Sequence, residues 1–404
     1  MKITRMAWRN IWRNRRRTAV TTGAMALALF VTILYSGLVD GLLVNMERDL
    51  LDYEVGDIQV FARGYQDAPS LFTSMEDAGS LVTALNRAGL PSCARLIGTG
   101  LAAAGDSSAG VQLRGIDVEK DAAVLALAGQ VARGEWLSTA DPAGVVLGRR
   151  LAAILEVNPG DSVVVVSQAT DGSIANDLYR VRGVLRGIGE ATDRSAVCMT
   201  AGAFRELMSM PSGAHQVIVR RPKGMSLEEA AAAVRTAAPG RDVMTWRQLI
   251  PTLATMMDSM RGLIVVMFLI VYIAIAIVIL NAMLMSVFER IREFGVLKAV
   301  GAGPGTVLSL ILLESVMQMG VAIAAGVLLS LPALWYLAGT GIDMGKLAGV
   351  SFAGLAMSSR WTATVSFSTF LTPVILLVLV VSVAVLYPAF KAALIRPVEA
   401  MRHR

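Results

Sequence analysis

The sequence predicts a membrane protein with four transmembrane α-helices and a large extracytoplasmic domain of α/β and β structure inserted between the first two. The chain has 404 residues, of which 55% are hydrophobic, and a mean hydropathy of +0.60. It is too apolar for an ordinary soluble protein, yet 17% of its residues are charged, which is too many for a chain wholly in lipid. Four apolar runs are long enough to cross about 30 Å of hydrocarbon, and the polar block 45–259 separates the first run from the second.

The N-terminal segment 1–17 is predicted to form a basic amphipathic helix. Arginines recur along it, with Trp8 and Trp12 among them, and such a helix suits the anionic surface of an inner leaflet. The apolar run that begins at Thr18 is longer than the apolar segment of a secretory signal peptide. We therefore expect an uncleaved signal anchor, with the first span over 18–44 and the N-terminus inside.

The block 45–259 is predicted to hold the extracytoplasmic domain. Alternation over 57–61 predicts a strand, and Ser226 is the expected N-cap of a helix over 226–237. Further helices are predicted near 80–88, 121–128 and 147–152. Short β-branched runs bounded by Gly, Asp or Pro predict strands at 111–115, 144–147, 162–167, 179–184, 196–199 and 216–220. This order indicates an α/β unit into which a β-rich part is inserted.

The remaining apolar runs predict spans at 260–288, 306–337 and 370–390, the last opened by Pro373 in its first turn. Basic residues beside the spans mark three segments as cytoplasmic under the positive-inside rule. These segments are the N-terminus, the loop 289–305 and the tail 391–404. Both termini are therefore expected inside, and 45–259 and the loop 338–369 outside.

The sequence offers no pattern for catalysis or for a metal or cofactor site. It contains no GxxxxGK[ST] motif, so ATP hydrolysis is not expected of this chain, and the Gly-rich stretch 301–306 lacks a preceding strand and a lysine. His215 and His403 have no partners at metal-ligand spacing. Cys93 and Cys198 either form one disulfide or remain two buried thiols, and sequence separation leaves both open. The basic residues gather beside the spans, so nucleic acid is not an expected partner.

The segment between the second and third spans is the candidate functional site. Its apolar residues recur at helical spacing, which places a stripe on one side of a short helix with charged residues on the other sides. Gly301 and Pro304 then end the helix. The candidate residues are Glu289, Arg290, Ile291, Arg292, Glu293, Phe294, Leu297 and Lys298.

This segment resembles the coupling helix of the MacB/FtsX-type (type VII) ABC transporter permeases. The family pattern is an apolar span, Glu-Arg, then Glu-(Phe/Ile)-Gly-(Val/Ile)-Leu-(Lys/Arg)-Ala-(Val/Ile)-Gly-Ala, and then a span that carries Glu-Ser. Each position has a counterpart here, from Glu289 to Ser315, and the family's C-terminal signature is similar to 387–389 and 396–402. The resemblance implies an extracytoplasmic α/β "porter" part with an inserted β "sabre" part. The layout is most similar to the lipoprotein-releasing permeases.

The resemblance also implies the partners. A dimer of separate ABC ATPase subunits, which bind ATP and Mg²⁺, is expected to grip the coupling helices, and a second permease, a copy or a relative, completes the transporter. The chain itself is not expected to be an enzyme. It is expected to lie in the bacterial inner membrane, in contact with lipids, and to move its external domain when the ATPases close. The second span is expected to be continuous with the coupling helix, and Phe294 to insert into an ATPase groove.

Three outputs are known in such a family: release of lipoproteins, driving of an efflux duct, and control of a cell-wall hydrolase. Many efflux members carry a fused ATPase, which this sequence lacks, and the external domain is large for the cell-division type. We therefore expect lipoprotein release. The cargo is then a lipoprotein or another periplasmic protein. A membrane-anchored sensor or binding protein without an ATPase is the alternative of another class.

Two polar residues lie within the predicted spans. A carboxylate such as Glu314 is costly in a membrane unless it is paired or wetted. Glu314 either bonds to the coupling helix, at Arg290, Arg292 or Lys298, or faces an aqueous crevice. Asn281 forms a hydrogen bond either across a dimer interface or to its own helix.

Overall fold

The computed structural model describes residues 2–13, 15–343, 351–352, 355–356 and 360–394. Its described residues form two compact units. The helical unit takes its residues from 1–44, 257–343 and 360–404, and the sheet unit takes them from 45–256 and 344–359. The tail signature 396–402 and His403 lie outside the described residues.

The elements follow in chain order. The helices are α1 (Lys2–Arg13), α2 (Arg15–Leu50), α3 (Ala78–Arg87), α4 (Val118–Ala122), α5 (Arg149–Ile154), α6 (Glu190–Ser195), α7 (Ala201–Leu207), α8 (Leu227–Ala237), α9 (Trp246–Leu249), α10 (Pro251–Glu289), α11 (Ile291–Ala299), α12 (Pro304–Thr340) and α13 (Phe367–Leu394). A π-helical turn (Leu51–Val55) follows α2, and a 3₁₀ turn (Leu127–Gln130) follows α4. The strands are β1 (Ile58–Phe61), β2 (Ser92–Ala104), β3 (Ser107–Ile116), β4 (Val131–Gly134), β5 (Gly144–Leu147), β6 (Ser162–Gln168), β7 (Ile174–Leu185), β8 (Ala196–Thr200), β9 (Gln216–Val219), β10 (Asp242–Thr245), β11 (Ile342–Asp343), β12 (Ser351–Phe352), β13 (Leu355–Ala356) and β14 (Arg360–Trp361).

Four helices are long and apolar enough to cross a membrane: α2 with its π-helical turn, α10, α12 and α13. Each predicted span lies within one of them, and each helix extends beyond its predicted span. The larger stretch of the sheet unit, 45–256, lies between the apolar runs of α2 and α10 in the chain. The predicted fold class of four spans with an inserted domain of mixed structure is therefore confirmed.

The start of α13 corrects one prediction. Pro373 lies inside the helix rather than in its first turn. The helix begins earlier because the side chains of Ser366 and Thr369 each accept a hydrogen bond from the other residue's backbone N–H. Ser366 Oγ accepts from Thr369 N at 3.3 Å, and Thr369 Oγ1 accepts from Ser366 N at 3.4 Å. A reciprocal cap of this kind fixes a helix start without proline.

Glycine allows close packing of the helical unit around α2. A Cβ at Gly41 would lie 2.0 Å from the carbonyl oxygen of Thr362, so the backbones can approach only if this residue is glycine. Trp361 Nε1 donates to Leu38 O at 2.6 Å in the same region. Gly326 of α12 likewise packs on α2, where a Cβ would meet the carbonyl oxygen of Ala26 at 3.0 Å.

The sheet unit has two parts that share one long strand. Its strands run β10-β1-β9-β2-β3-β8-β5-β7-β4, while β6 pairs with both β2 and β7. Pairing therefore runs from β2 through β3, β8, β5, β7 and β6 and returns to β2, so these strands close on themselves as a barrel. The first residues of β2 pair with β9 and its later residues with β6. The strand thus joins an open α/β part to a closed β part.

Local sequence patterns predict some helices and strands of the sheet unit correctly and others incorrectly. Ser226 caps α8 in a capping box with Glu229, as its position predicts. The helix predicted over 121–128 has the wrong bounds, because Asp117 caps α4 early and the helix ends at Ala122, with a separate 3₁₀ turn at Leu127–Gln130. The strand β2 is not predicted at all, because it is rich in Gly and Ala rather than in β-branched residues.

The two cysteines are free and buried. Cys93 lies on β2 and Cys198 on β8, and β3 pairs with both strands and so separates them. Two strand spacings amount to about 10 Å, whereas a disulfide requires Cα atoms within about 7 Å. The disulfide alternative is therefore wrong, and the residues are two buried thiols.

Candidate functional site

The candidate coupling segment is a separate short helix. α10 ends at Glu289 and α11 begins at Ile291, while Arg290 between them has non-helical angles (φ −106°, ψ 13°). The prediction that the second span continues into the coupling helix is therefore wrong. The break directs Arg290 away from the axis of either helix and towards two carboxylates.

Arg290 ties this turn to the third span. Its Nη1 lies 2.9 Å from Glu314 Oε2, and its Nε lies 3.3 Å from Glu293 Oε2. The side chains of Arg290 and Glu314 are only 11% and 9% exposed, so the pair is largely desolvated. Arg290, Arg292 and Lys298 were the predicted alternatives for a partner of Glu314, and the structure shows the pair with Arg290.

Glu314 also lines a polar cavity of about 190 Å³, together with Thr21, Ser286 and Gln318. Glu314 therefore takes the pairing alternative, while the aqueous crevice stays a prediction. A buried ion pair beside polar side chains is less costly in a membrane than an isolated charge.

The N-terminal helices hold the coupling segment from another side. Arg13 Nη2 lies 2.7 Å from Glu293 Oε1, and Arg17 pairs with Glu289. These arginines were expected at the lipid surface, and their pairing with the coupling segment was not predicted. A basic cluster and two acidic residues in segments placed on the same side of the membrane were the signal that could have indicated it.

Lys298 fixes the far end of α11. Its Nζ donates to the carbonyl oxygen of Ala393 at 2.5 Å, in the last turn of α13, where a cation also favours the helix dipole. Burial lowers the pKa of Lys298. Nearby, Lys391 Nζ lies 4.9 Å from the ring centroid of Phe288. The segment 288–298 is thus bonded to residues of α1, α2, α12 and α13.

Phe294 does not present its ring to a partner. It is 1% exposed, and the Arg290 guanidinium lies 5.1 Å from the centroid of its ring. The expected insertion of Phe294 into an ATPase groove is therefore wrong for this conformation, because the predicted stripe packs against the chain's own helices. Ile291 and Leu297 are half-buried on the same helix.

The large exposed apolar residues of α11 and of the turn after it are Val296 and Val300, with 54% and 83% of their surface accessible. Arg292 and Glu293 are also exposed, as is the turn from Gly301 to Gly305 except for the half-buried Ala302. Arg292, Glu293, Val296 and Val300 share a small exposed surface with an apolar centre and charged edges, which is called the docking face below because it is the candidate contact for a partner. Such a composition is typical of a protein contact. Asn281 is exposed on α10, so both alternatives for it stay open.

Two family models match the chain. The MacB-like periplasmic core domain matches residues 18–237, and the FtsX-like permease C-terminal region matches residues 265–397. The second match covers the coupling segment and Glu314.

Individual relatives match over shorter stretches. An uncharacterised ABC transporter permease of Methanocaldococcus jannaschii is 25% identical over 194 residues, which cover 46% of each chain. The macrolide export ATP-binding/permease protein MacB of Chlorobium phaeobacteroides is 37% identical over 125 residues, 31% of this chain and 16% of the relative. The matches thus span less than half the length of these relatives. The crystal structure of the periplasmic region of MacB from Actinobacillus actinomycetemcomitans is 14% identical, with a TM-score of 0.37, and the match covers 52% of this chain and 98% of that one.

Proposed function

Because the chain belongs to the MacB/FtsX-type ABC transporter permeases, we propose that it converts ATP-driven closure of a separate ABC ATPase into movement of its sheet unit. The membership rests on the periplasmic core domain model, which matches more than half of the chain, and on the FtsX-like match at its C-terminal side. We further propose that the protein lies in the inner membrane with both termini in the cytoplasm. The basic residues beside its spans support this orientation.

The observation that carries this proposal is the set of bonds around α11. Arg290, Glu289, Glu293 and Lys298 connect the segment to four other helices of the same unit. A force applied to the docking face is therefore delivered to several helices at once and not to one loop. A loop that only set the membrane topology would not need these bonds.

The connections between the two units are helical. Residues 251–256 of α10 belong to the sheet unit and 257–289 to the helical unit, and α2 is divided in the same way after Val44. A helix transmits displacement along its axis better than a flexible linker does. ATP binding at one end and movement of the sheet unit at the other then form one linked equilibrium.

A substitution in the docking face tests the proposed contact with the ATPase. The permease is purified with the ABC ATPase with which it associates in membranes, and ATP hydrolysis is measured with and without permease. Val300→Asp is expected to detach the ATPase and abolish stimulation, because a charge at the centre of a small apolar contact is desolvated on binding. Met6→Asp changes an equally apolar, 42% exposed residue of α1 and serves as the control.

Full stoichiometry and full stimulation with Val300→Asp would contradict the assigned face. If no ABC ATPase accompanies even the unaltered chain, the protein is instead a sensor or binding protein. Detachment by Val300→Asp but not by Met6→Asp supports the proposal.

Of the three candidate outputs of this movement, two have specific support and control of a cell-wall hydrolase stays an alternative. Release of lipoproteins is supported by the resemblance in layout, whereas an export role of the MacB type is supported by the relative named as a macrolide exporter. Two assays distinguish them: reconstitution with the ATPase in lipid vesicles for the first, and production of the permease with its ATPase in macrolide-sensitive cells for the second. ATP-dependent transfer of a lipoprotein to a soluble acceptor supports the first, and ATP-dependent protection of cells from a macrolide supports the second.

A further inference from the structure

The sheet unit contains a polar cavity of about 350 Å³, lined by residues of β1, β2, β3 and β9 and of the loop that follows β1. Its volume lies in the range of small-molecule sites. One wall holds the stacked rings of Phe61 and Tyr65, whose centroids are 5.5 Å apart. Side-chain amides of Gln59, Gln112 and Gln216 also line it. The cavity therefore combines aromatic surface with several donors and acceptors.

A buried guanidinium faces this cavity with unused donors. Arg114 is 9% exposed, and its Nε donates to Gln112 Oε1 at 2.9 Å. Its two Nη atoms donate to no atom of the described residues. The neighbouring Arg95 differs, because Asp121 accepts two hydrogen bonds from it at 2.8 and 2.9 Å. Arg95 is thus neutralised by the protein, whereas Arg114 is not.

A carboxylate that lines the same cavity has an oxygen that accepts no hydrogen bond. Glu54 lines the cavity, and its Oε1 is buried and accepts no hydrogen bond within the described part of the chain. The hydrogen bond of Arg114 goes to Gln112 and not to Glu54 Oε1. Leaving a buried charged oxygen without a donor is costly. Both groups therefore have unsatisfied bonding capacity that a ligand can fill.

The chemistry of these two groups defines the ligand. A guanidinium binds a carboxylate through two parallel hydrogen bonds, and a carboxylate accepts hydrogen bonds from an ammonium group. A molecule that carries both groups satisfies both residues. We propose that this cavity binds a small zwitterionic solute, an amino acid or a short peptide, with its carboxylate on Arg114 and its ammonium on Glu54.

Glu54 connects the site to the rest of the chain. It lies in the π-helical turn Leu51–Val55 that directly follows α2. Such turns are frequent at functional sites. A solute bound to Glu54 favours one conformation of this turn over others, so the site suits a regulatory solute that acts at the end of α2.

The test uses the full chain in lipid nanodiscs and titration calorimetry with L-alanine and L-alanyl-L-alanine. At least one of the two is expected to bind saturably. N-acetylation of that probe removes the ammonium and amidation removes the carboxylate, and each change is expected to weaken binding roughly tenfold or more. Neither free probe binding, or the free and blocked forms binding equally well, would overturn the proposal.

Variants assign the two ends of the ligand. With Arg114→Gln, the free and amidated probes are expected to bind alike, and with Glu54→Gln the free and N-acetylated probes are expected to bind alike. Arg133→Gln alters an exposed arginine of β4 and is the matched control. Preferences that persist unchanged in folded variants would contradict the assignment. If a variant fails to fold, the comparison of free and blocked probes on the unaltered chain decides.

Discussion

Arg290 Nη1 lies 2.9 Å from Glu314 Oε2, so one ion pair joins the turn before α11 to the interior of α12. Removing one partner of a buried pair leaves the other charge uncompensated and costs up to about 3–5 kcal/mol. Glu314→Gln is expected to cost less, about 1–3 kcal/mol, because Arg290 keeps Glu293 as a partner. The melting temperature of the purified chain and its stimulation of the ATPase are both expected to fall.

The control for this prediction is Asp258→Asn, which removes a pair in which Arg261 and Asp258 are each about half exposed. Exposed pairs contribute about 0–1 kcal/mol, so little change is expected. Equal melting temperatures for Glu314→Gln and the unaltered chain would show that the pair contributes nothing.

Glycine at position 41 is expected to be required for folding of the helical unit. Gly41→Ala places a Cβ 2.0 Å from the carbonyl oxygen of Thr362, and such overpacking typically costs about 1–3 kcal/mol. Gly23 lies on the same helix, and a Cβ added there would meet no atom within 4 Å, so Gly23→Ala is expected to stabilise by up to about 1 kcal/mol. Thermal unfolding measures the effect of each substitution on stability. Melting-temperature shifts of the same sign for Gly41→Ala and Gly23→Ala would refute the close approach of α2 to Thr362.

The sheet unit is expected to lose stability in mild acid because of His215. Its Nδ1 accepts from Ile97 N and its Nε2 bonds to Leu71 O, both at 3.0 Å, which suits the neutral ring. Burial lowers the pKa of His215 below its usual 6.5, and the Leu71 carbonyl only partly opposes this. The unfolded chain therefore binds the proton more readily, so stability is complete above 6.5 and falls as the pH drops through 6.5 towards the lower folded pKa.

Melting temperatures measured between about pH 7.5 and 5 test this expectation. His215→Gln retains a donor and an acceptor and is expected to lower the melting temperature at neutral pH while flattening its dependence on pH. An unchanged slope in this variant would mean that other groups cause the acid sensitivity.

Membrane orientation is tested by labelling single cysteines with a reagent that cannot cross the membrane. Cysteine in place of the exposed Gly172 is expected to be labelled from outside, and cysteine in place of Gly303 only after permeabilisation. Gly349, predicted to be labelled from outside, lies outside the described residues. Labelling of position 303 in intact cells would overturn both the four-span topology and the coupling role of α11.

Hydropathy and helix chemistry predicted the spans, the short helix and the N-cap at Ser226, because these features depend on neighbouring residues. The orientation of Phe294 could not be predicted in the same way. Periodicity shows that one side of α11 is apolar, but it does not show whether that side packs on the same chain or on a partner. The ion pair of Arg17 with Glu289 joins residues 272 positions apart. The signal for it in the sequence is the opposite charge of the two segments.

Movement of the sheet unit on ATP binding, transmitted through the contacts of α11, can be measured as a distance. Spin labels at Asn176 of β7 and Gly303 before α12, with both buried cysteines replaced by alanine, report the distance between the two units by pulsed electron resonance in nanodiscs with the ATPase bound. We expect a non-hydrolysable ATP analogue to shift the distance distribution in the otherwise unaltered chain, and Glu314→Gln to reduce the shift. A distribution that the analogue leaves unchanged while the ATPase remains bound would contradict the proposed coupling.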